Sequence, residues 1–219
     1  MNTKHCLAGL ICLPMFTIPA VAGENGDLWA GFYGGASIGY GWGESTQMYD
    51  RAGDHGKATL EPDGGAAAIT GGYNWMWRPN ILLGVEGDIG VMNVSQGATE
   101  VFDGHIWSTS TGSFWSTLRG RVGYVFDSVL VHASGGLALA SIDDSSIGNT
   151  PGETASEDGA RAGWVVGTGV EYALDNAWTL KAEYLHMDFG SIDGRSANNE
   201  AYSFENTVNL VRFGTNYRF

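Results

Sequence analysis

Apolar and polar residues alternate strictly through eight segments of this chain. In the third segment, Leu83 and Val85 fall on one face and Glu86 falls on the other. A period of two indicates strands in a sheet whose two faces meet different surroundings. Each segment is long enough to cross a hydrocarbon layer, which takes about 9–11 tilted residues. The predicted strands are 31–42, 66–77, 81–94, 113–126, 129–142, 162–174, 178–189 and 206–219.

The connections between these segments alternate between short and long. Three are tight turns, and the other four are polar and rich in Gly, Ser, Asp and Asn. Outer-membrane barrels have short periplasmic turns and long extracellular loops. The pattern therefore predicts an all-β fold, an eight-stranded antiparallel up-and-down transmembrane β-barrel. The short connections are 78–80, 127–128 and 175–177, and the long ones are 43–65, 95–112, 143–161 and 190–205.

Composition excludes two other classes. No segment after residue 22 approaches the 18 or so apolar residues of a membrane-spanning helix, so a helical membrane protein is excluded. The formal net charge of −13 argues against nucleic acid, which proteins bind through clustered Lys and Arg.

Both ends of the chain predict export to the bacterial outer membrane. Lys4, the apolar stretch 7–21 and the small-x-small pattern at 20–22 indicate a signal peptide over 1–22, with the barrel domain over 23–219. The final strand carries a pattern that resembles the signal read by the barrel-assembly machinery, which is one expected partner. That pattern consists of Arg212, Gly214, Tyr217 and Phe219.

Aromatic residues cluster near the ends of the predicted strands. Amphipathic rings favour the headgroup depth of a membrane, so two belts are expected. The periplasmic belt is predicted to contain Trp75, Trp77, Tyr124, Phe126, Tyr172, Trp178, Tyr217 and Phe219. The outer belt is predicted to contain Tyr40, Trp42, Phe114, Trp164 and Tyr184.

Three stretches of the sequence resemble the small outer-membrane β-barrel or "porin family" proteins. They are 29–43, with its WAGFYGG run, 119–124 (RGRVGY) and 178–190 (WTLKAEYLHMDFG). The family includes alphaproteobacterial surface antigens and haemin-binding proteins, and it is similar in fold to the barrel domain of outer membrane protein A. The resemblance implies the fold and the location. It implies little about activity, because the family is functionally diverse.

If the apolar face of each strand contacts lipid, a set of charged side chains lies inside. The lumen of an eight-stranded barrel is just wide enough for side chains to fill it. Because buried charges must be paired, we predict an internal salt-bridge network that blocks the lumen and helps to set the register. The predicted members are Glu86, Asp88, Arg119, Arg121, His132, Glu171, Lys181, Glu183, Arg212 and Arg218.

The predicted function is that of an envelope structural protein and surface antigen, without cofactor or catalysis, embedded in outer-membrane lipid and lipopolysaccharide. One alternative is a small-solute or ion pore lined by the same charges. A large channel needs about 16 strands, which disfavours this alternative.

Enzyme alternatives rest on three pairs of residues. His132 and Ser134 are two apart on one strand face, as a base and a nucleophile would be, and Glu171 or Glu183 could orient the imidazole. The other two pairs resemble the acid–histidine pairs of outer-membrane proteases. They are His186 with Asp188 and Asp103 with His105.

The loops are the remaining candidates for a specific function. Carboxylates of the first and third loops form a solvated acidic surface or bind divalent cations weakly beside lipopolysaccharide phosphates. Apolar residues of the second loop either pack in an extended hairpin or contact a host molecule or haemin. The loop carboxylates are Glu44, Asp50, Asp54, Glu61, Asp63, Asp143, Asp144, Glu153, Glu157 and Asp158, against Arg51, Lys57 and Arg161. The apolar loop residues are Val101, Phe102, Ile106 and Trp107, and the possible haem ligands are Tyr49, His55 and His105.

Overall fold

The computed structural model describes residues 28–51, 54–99, 106–147, 155–195 and 201–219. Ten antiparallel strands in these residues form one sheet. No helix in the described part of the chain is long and apolar enough to cross a membrane. The strands are β1 (Gly31–Arg51), β2 (Asp54–Leu60), β3 (Asp63–Arg78), β4 (Ile81–Met92), β5 (Val94–Thr99), β6 (Ile106–Phe126), β7 (Val129–Ile147), β8 (Ala155–Ala173), β9 (Trp178–Arg195) and β10 (Ala201–Arg218).

The sheet closes on itself, because β1 pairs with β10 on one side and with β3 on the other. Around the barrel the order is β1, β3, β4, β6, β7, β8, β9 and β10. Closure removes the unpaired strand edges that hydrocarbon cannot solvate. The predicted eight-stranded antiparallel barrel is confirmed.

The two remaining strands lengthen hairpins on the side of the long connections. β2 pairs with β1, and β5 pairs with β6. The break between β2 and β3 falls at Pro62, which has no N–H to donate, while its carbonyl accepts from Gly43 N at 2.8 Å. The break between β4 and β5 falls at Asn93, whose N–H donates to Gly65 O at 2.9 Å.

Most strands extend further into the long connections than the alternation predicts. β1 ends at residue 51 rather than 42, and β8 begins at 155 rather than 162. Most of the added residues are polar or glycine, so they carry little period-two signal although their backbones still pair. Ile106, Trp107 and Phe204 are among the apolar exceptions. Much of each predicted loop is therefore a two-stranded ribbon. The expected signal peptide over 1–22 lies outside the described residues.

The two faces of the sheet differ as the alternation predicts. On β4, Leu82 is fully buried, while Val85 and Ile89 are 46 % and 54 % exposed. All thirteen aromatic residues assigned to the two belts are exposed. Ten residues separate Phe32 from Trp42 on β1, which at about 3.3 Å per residue and a tilt of roughly 40° gives a band of about 25 Å.

The short turns are stabilised by local chemistry. Phe126 and Val129 pair, which leaves a two-residue turn in which Asp127 has φ = +50°. A positive φ at only the first central residue is the sign pattern of a type II′ turn, where glycine is preferred. In the third turn, the Asp175 carboxylate accepts the backbone N–H groups of Ala177 and Trp178, both at 2.7 Å, which lowers its pKa.

We predict that Asp127→Gly leaves the free energy of unfolding unchanged or raises it, whereas Asp127→Val lowers it by about 1–2 kcal/mol. A β-branched residue pays the full cost of a left-handed backbone, and glycine does not. Urea unfolding of the barrel refolded in lipid vesicles measures both. Ser128→Val, at the neighbouring residue whose φ is not positive, is the control. Equal effects of the two Asp127 substitutions would contradict the assignment.

Candidate functional site

Glu86 lies deep in the lumen at the centre of a group of charged side chains, and it is 1 % exposed. Its carboxylate contacts Lys181 Nζ at 2.7 Å and Arg121 Nη1 at 3.0 Å, and it also pairs with Arg119. Tyr33 donates its hydroxyl hydrogen to Glu86 Oε2 over 2.7 Å. Because a carboxylate offers about four acceptor sites, these four donors saturate it.

Two arginines bridge Asp88 and Glu183. Arg119 donates to Asp88 Oδ2 and to Glu183 Oε1, at 2.8 Å in each case. Arg212 donates to Asp88 Oδ1 at 2.9 Å and, through Nε, to Glu183 Oε2 at 2.7 Å. Hydrogen bonds between ionised groups are stronger than neutral ones, and the fork of an arginine also fixes their direction.

A fourth carboxylate, Glu171, joins the group through Arg121, whose Nη2 lies 2.7 Å from Glu171 Oε1. Arg121 therefore links Glu171 to Glu86. His132 Nε2 lies 3.7 Å from the same Glu171 oxygen. Neither ring nitrogen of His132 has a hydrogen-bond partner among the described residues.

All eight spanning strands contribute to this group, which we call the charge cluster. β4, β6, β8, β9 and β10 supply the charged members, and β1, β3 and β7 reach it through uncharged side chains. Thr70 donates to Asp88 Oδ1 at 2.6 Å, and Ser134 accepts from Arg119 Nη1 at 2.8 Å. The predicted set omits Tyr33 and Thr70, although their positions on the inward faces of β1 and β3 were a usable signal.

The structure brings nine of the ten predicted lumen residues together. Arg218 lies apart, half-buried at the turn end of β10, where it donates to the Asn176 carbonyl. Six residues separate it from Arg212, a distance of roughly 20 Å along a strand. The cluster therefore contains four carboxylates (Glu86, Asp88, Glu171 and Glu183) and four permanent cations (Arg119, Arg121, Lys181 and Arg212), together with His132.

An apolar layer covers the charge cluster at the turn end. Trp29, from the segment before β1, is buried there against Leu82, Leu130 and Ala173, and its backbone carbonyl accepts from the Asn74 amide at 3.2 Å. This layer is not predicted by alternation when apolar residues are assigned to the lipid face. The signal was the position of Leu82 on the same face of β4 as Glu86 and Asp88.

A second apolar layer covers the cluster on the side of the long hairpins. Trp115 is fully buried in it and lies over the Arg212 guanidinium, 5.9 Å from ring centroid to Cζ. Excluding water lowers the local dielectric, which strengthens paired charges and penalises unpaired ones. The other buried members are Ala68, Met92, Val94, Ala138, Ala140, Ile142, Val165, Leu185, Met187, Phe189, Val208 and Leu210.

The two described candidate catalytic pairs are engaged in other contacts. The Ser134 hydroxyl accepts from Arg119, and His132 faces Glu171. His186, on the outward face of β9, has its Nδ1 at 2.9 Å from an amide oxygen of β10. Asp188 accepts a backbone N–H two residues along its own strand at 2.7 Å.

The candidate loop residues fall into four groups. Val101, Phe102, Asp103, His105 and Glu153 lie outside the described residues, whereas Tyr49 is on β1 and His55 is on β2. Glu44, Glu61, Asp63 and Asp143 are exposed, as expected of a solvated acidic surface. Placing Arg161 in that solvated set was wrong. Arg161 is 7 % exposed on β8, because the strand ladder extends beyond the predicted start of the strand.

The residues of the proposed assembly signal lie on both faces of β10 and of the residue that follows it. Tyr217 and Phe219 point outward, 39 % and 58 % exposed, with their rings 5.4 Å apart in an edge-on arrangement. Arg212 points inward into the charge cluster. Gly214 pairs with Ser37 of β1, where an added Cβ would lie 2.8 Å from the Ser37 Cβ.

Residues 8–219 match the model of the outer membrane protein beta-barrel domain. The chain belongs to this family. It is 29 % identical to the 31 kDa outer-membrane immunogenic protein of Brucella melitensis, over 100 % of this chain and 95 % of that protein. It is 31 % identical to a 22 kDa outer membrane protein of Rhizobium leguminosarum, over 87 % of this chain and 78 % of that one. The chain is an outer-membrane β-barrel protein, as the sequence predicts.

Solved structures agree on the fold. OprG of Pseudomonas aeruginosa matches with a TM-score of 0.59 and 16 % identity, over 87 % of this chain and 98 % of that one. The outer membrane protease OmpT of Escherichia coli matches with a TM-score of 0.51 and 11 % identity, over 86 % and 96 %. At these identities the likeness shows a shared barrel fold alone.

We predict that Glu183→Gln lowers the free energy of unfolding by about 3–5 kcal/mol, because it leaves buried guanidinium groups without a counter-charge. Glu205→Gln, an exposed site on the neighbouring strand, should change it by less than about 0.5 kcal/mol. Urea titration in lipid vesicles with tryptophan fluorescence reads out both variants. Comparable losses in the two would show that the buried pairing contributes little.

Proposed function

We propose that this outer-membrane barrel is a non-conducting structural protein of the envelope and a surface antigen. The observation that carries the proposal is the balance of four carboxylates against four permanent cations, covered by an apolar layer at each end. An ion would have to break these pairs to pass. The cost of separating buried charges is several kcal/mol for each pair.

The size of the lumen supports the same proposal. Eight strands leave an interior that side chains can fill. A cavity beside Trp29, Tyr33 and Glu171 at the turn end measures about 20 Å³, which is room for about one water molecule. The pore alternative gains no support from these dimensions.

The proposed antigenic role rests on the relatives and on the hairpins. The Brucella relatives are named outer-membrane immunogenic proteins. In this chain, β1 with β2 and β5 with β6 extend two hairpins beyond the apolar band. Residues carried on such ribbons are available to antibodies, which recognise exposed loops. Binding of haemin or a host ligand has no comparable support from the described side chains.

We propose no catalytic reaction for this chain. The Ser134 hydroxyl is held by Arg119 rather than by His132, so the nucleophile–base hydrogen bond of a hydrolase is not formed. For assembly, the exposed rings of Tyr217 and Phe219 support recognition of β10 by the barrel-assembly machinery.

Single-channel recording tests the non-conducting proposal. Purified protein inserted in planar bilayers should give no stable large conductance, whereas a sixteen-stranded porin inserted in the same bilayers serves as the positive control. A stable, voltage-independent conductance comparable to that of the porin would contradict the proposal.

Deletion of the gene tests the structural role. We expect greater sensitivity to detergents and bulky antibiotics, and expression of the wild-type chain should restore resistance. Complementation with Glu205→Gln, an exposed change away from the cluster, should restore it equally. A deletion strain with an intact permeability barrier would contradict the structural role and leave only the antigenic one.

A further inference from the structure

A groove of about 570 Å³ opens on the outer surface of the barrel, where β1 lies between β3 and β10. Trp42 stands at its centre and is 40 % exposed. Asp63 of β3 and Asn209 of β10 lie directly opposite Trp42 on either side. The groove belongs to the outward face and shares no residue with the charge cluster.

The groove lies at the boundary between hydrocarbon and headgroups. Below it on β1, Ile38 is 72 % exposed and apolar, as a residue facing acyl chains should be. Tyr40 and Trp42 belong to the outer aromatic belt, and the next outward residue, Glu44, is charged. Aromatic belts mark headgroup depth, so the groove meets the headgroups of the outer leaflet.

Hydrogen bonds fix the polar walls of the groove. Asn209 Oδ1 accepts from the Tyr184 hydroxyl at 2.6 Å and lies 2.9 Å from His186 Nδ1. Asn209 lines the groove, and its amide NH₂ carries two donors. On the opposite wall, Tyr40 donates to the Asp63 carboxylate, which orients both side chains.

The groove therefore combines an aromatic face with hydrogen-bonding groups arranged around it. Thr207 and the Asn209 amide can donate, and the carboxylates of Glu44 and Glu61 can accept. An acyl chain would use none of these polar groups. A phosphate inside the groove would be repelled by the carboxylates, so the phosphates of a glycolipid headgroup must lie outside it. A sugar ring fits, because its C–H face can stack on indole while its hydroxyls both donate and accept.

We propose that this groove binds an uncharged sugar ring in the headgroup of the outer-leaflet glycolipid, lipopolysaccharide. Its volume falls within the range of small-ligand sites, about 300–1,000 Å³. Stacking on Trp42 supplies the contact area, and Asn209 sets the orientation of the ring. The site is independent of whether the lumen conducts.

Native mass spectrometry of purified, folded barrel in detergent micelles tests the proposal, with lipopolysaccharide truncated to its inner core as the probe. We expect Trp42→Ala to weaken binding about fivefold to tenfold, the range that aromatic contacts give. Trp42→Phe should retain most of the affinity, and Asn209→Leu should lose part of it. Trp75→Ala is the matched control, since Trp75 is also 40 % exposed but lies in the opposite belt.

Two further arms separate recognition of the sugar from general lipid contact. Binding of phosphatidylglycerol should be the same for wild type and Trp42→Ala, and an equal loss for both lipids would overturn the proposal. Unchanged glycolipid binding in both Trp42→Ala and Asn209→Leu would also overturn it. If the deacylated core oligosaccharide binds and the intact glycolipid does not, the ligand is a free sugar rather than a membrane lipid, and the proposal is overturned. Heat-dependent migration in gels verifies that each variant is folded.

Discussion

Balanced charge inside a closed sheet is the constraint on which the rest of this barrel depends. The cluster draws a side chain from every spanning strand, and its members contact one another in a space that two apolar layers seal. A slip of one residue in a strand that carries charges, which are β4, β6, β8, β9 and β10, would turn those charges into the hydrocarbon. A slip in β1, β3 or β7 would withdraw the polar side chains that reach the cluster. The cluster therefore penalises every wrong register, whatever its net contribution to stability.

The sequence predicts which face of each strand a residue lies on. It does not predict most of the ion pairs within the cluster. Glu171 lies opposite Lys181 across a short turn, so their register follows from the turn. Even so, Lys181 donates to Glu86, and Glu171 accepts from Arg121. Glu86 lies opposite Arg119 across a long hairpin, whose register depends on irregularities that leave no pattern in the sequence. Alternation also does not predict the strand ends. It stops where contact with lipid stops, whereas the pairing of backbones continues further.

The apolar residues of the lumen show a second limit of the sequence. Leucine satisfies either environment, so the residue type of Leu185 does not place it; only its spacing of four residues from Lys181 puts it on the inward face of β9, as the spacing from Glu86 does for Leu82 on β4. Trp29 precedes the first strand and carries no periodic signal, yet it covers the cluster at the turn end. On the outer surface, Trp42 is exposed as a belt residue should be, and the groove around it forms only where β3 and β10 flank β1.

Thiol accessibility tests the central claim most directly. After the first 22 residues the chain has no cysteine, so single Ser→Cys substitutions give one small, nearly isosteric probe each. Ser134 lies on the inward face and Ser116 on the outward face. We expect Ser134→Cys to resist a water-soluble methanethiosulfonate until urea unfolds the barrel, and Ser116→Cys to react with a membrane-dissolved maleimide. Rapid modification of Ser134→Cys by the water-soluble reagent in the folded barrel would mean a water-filled lumen and would contradict the account.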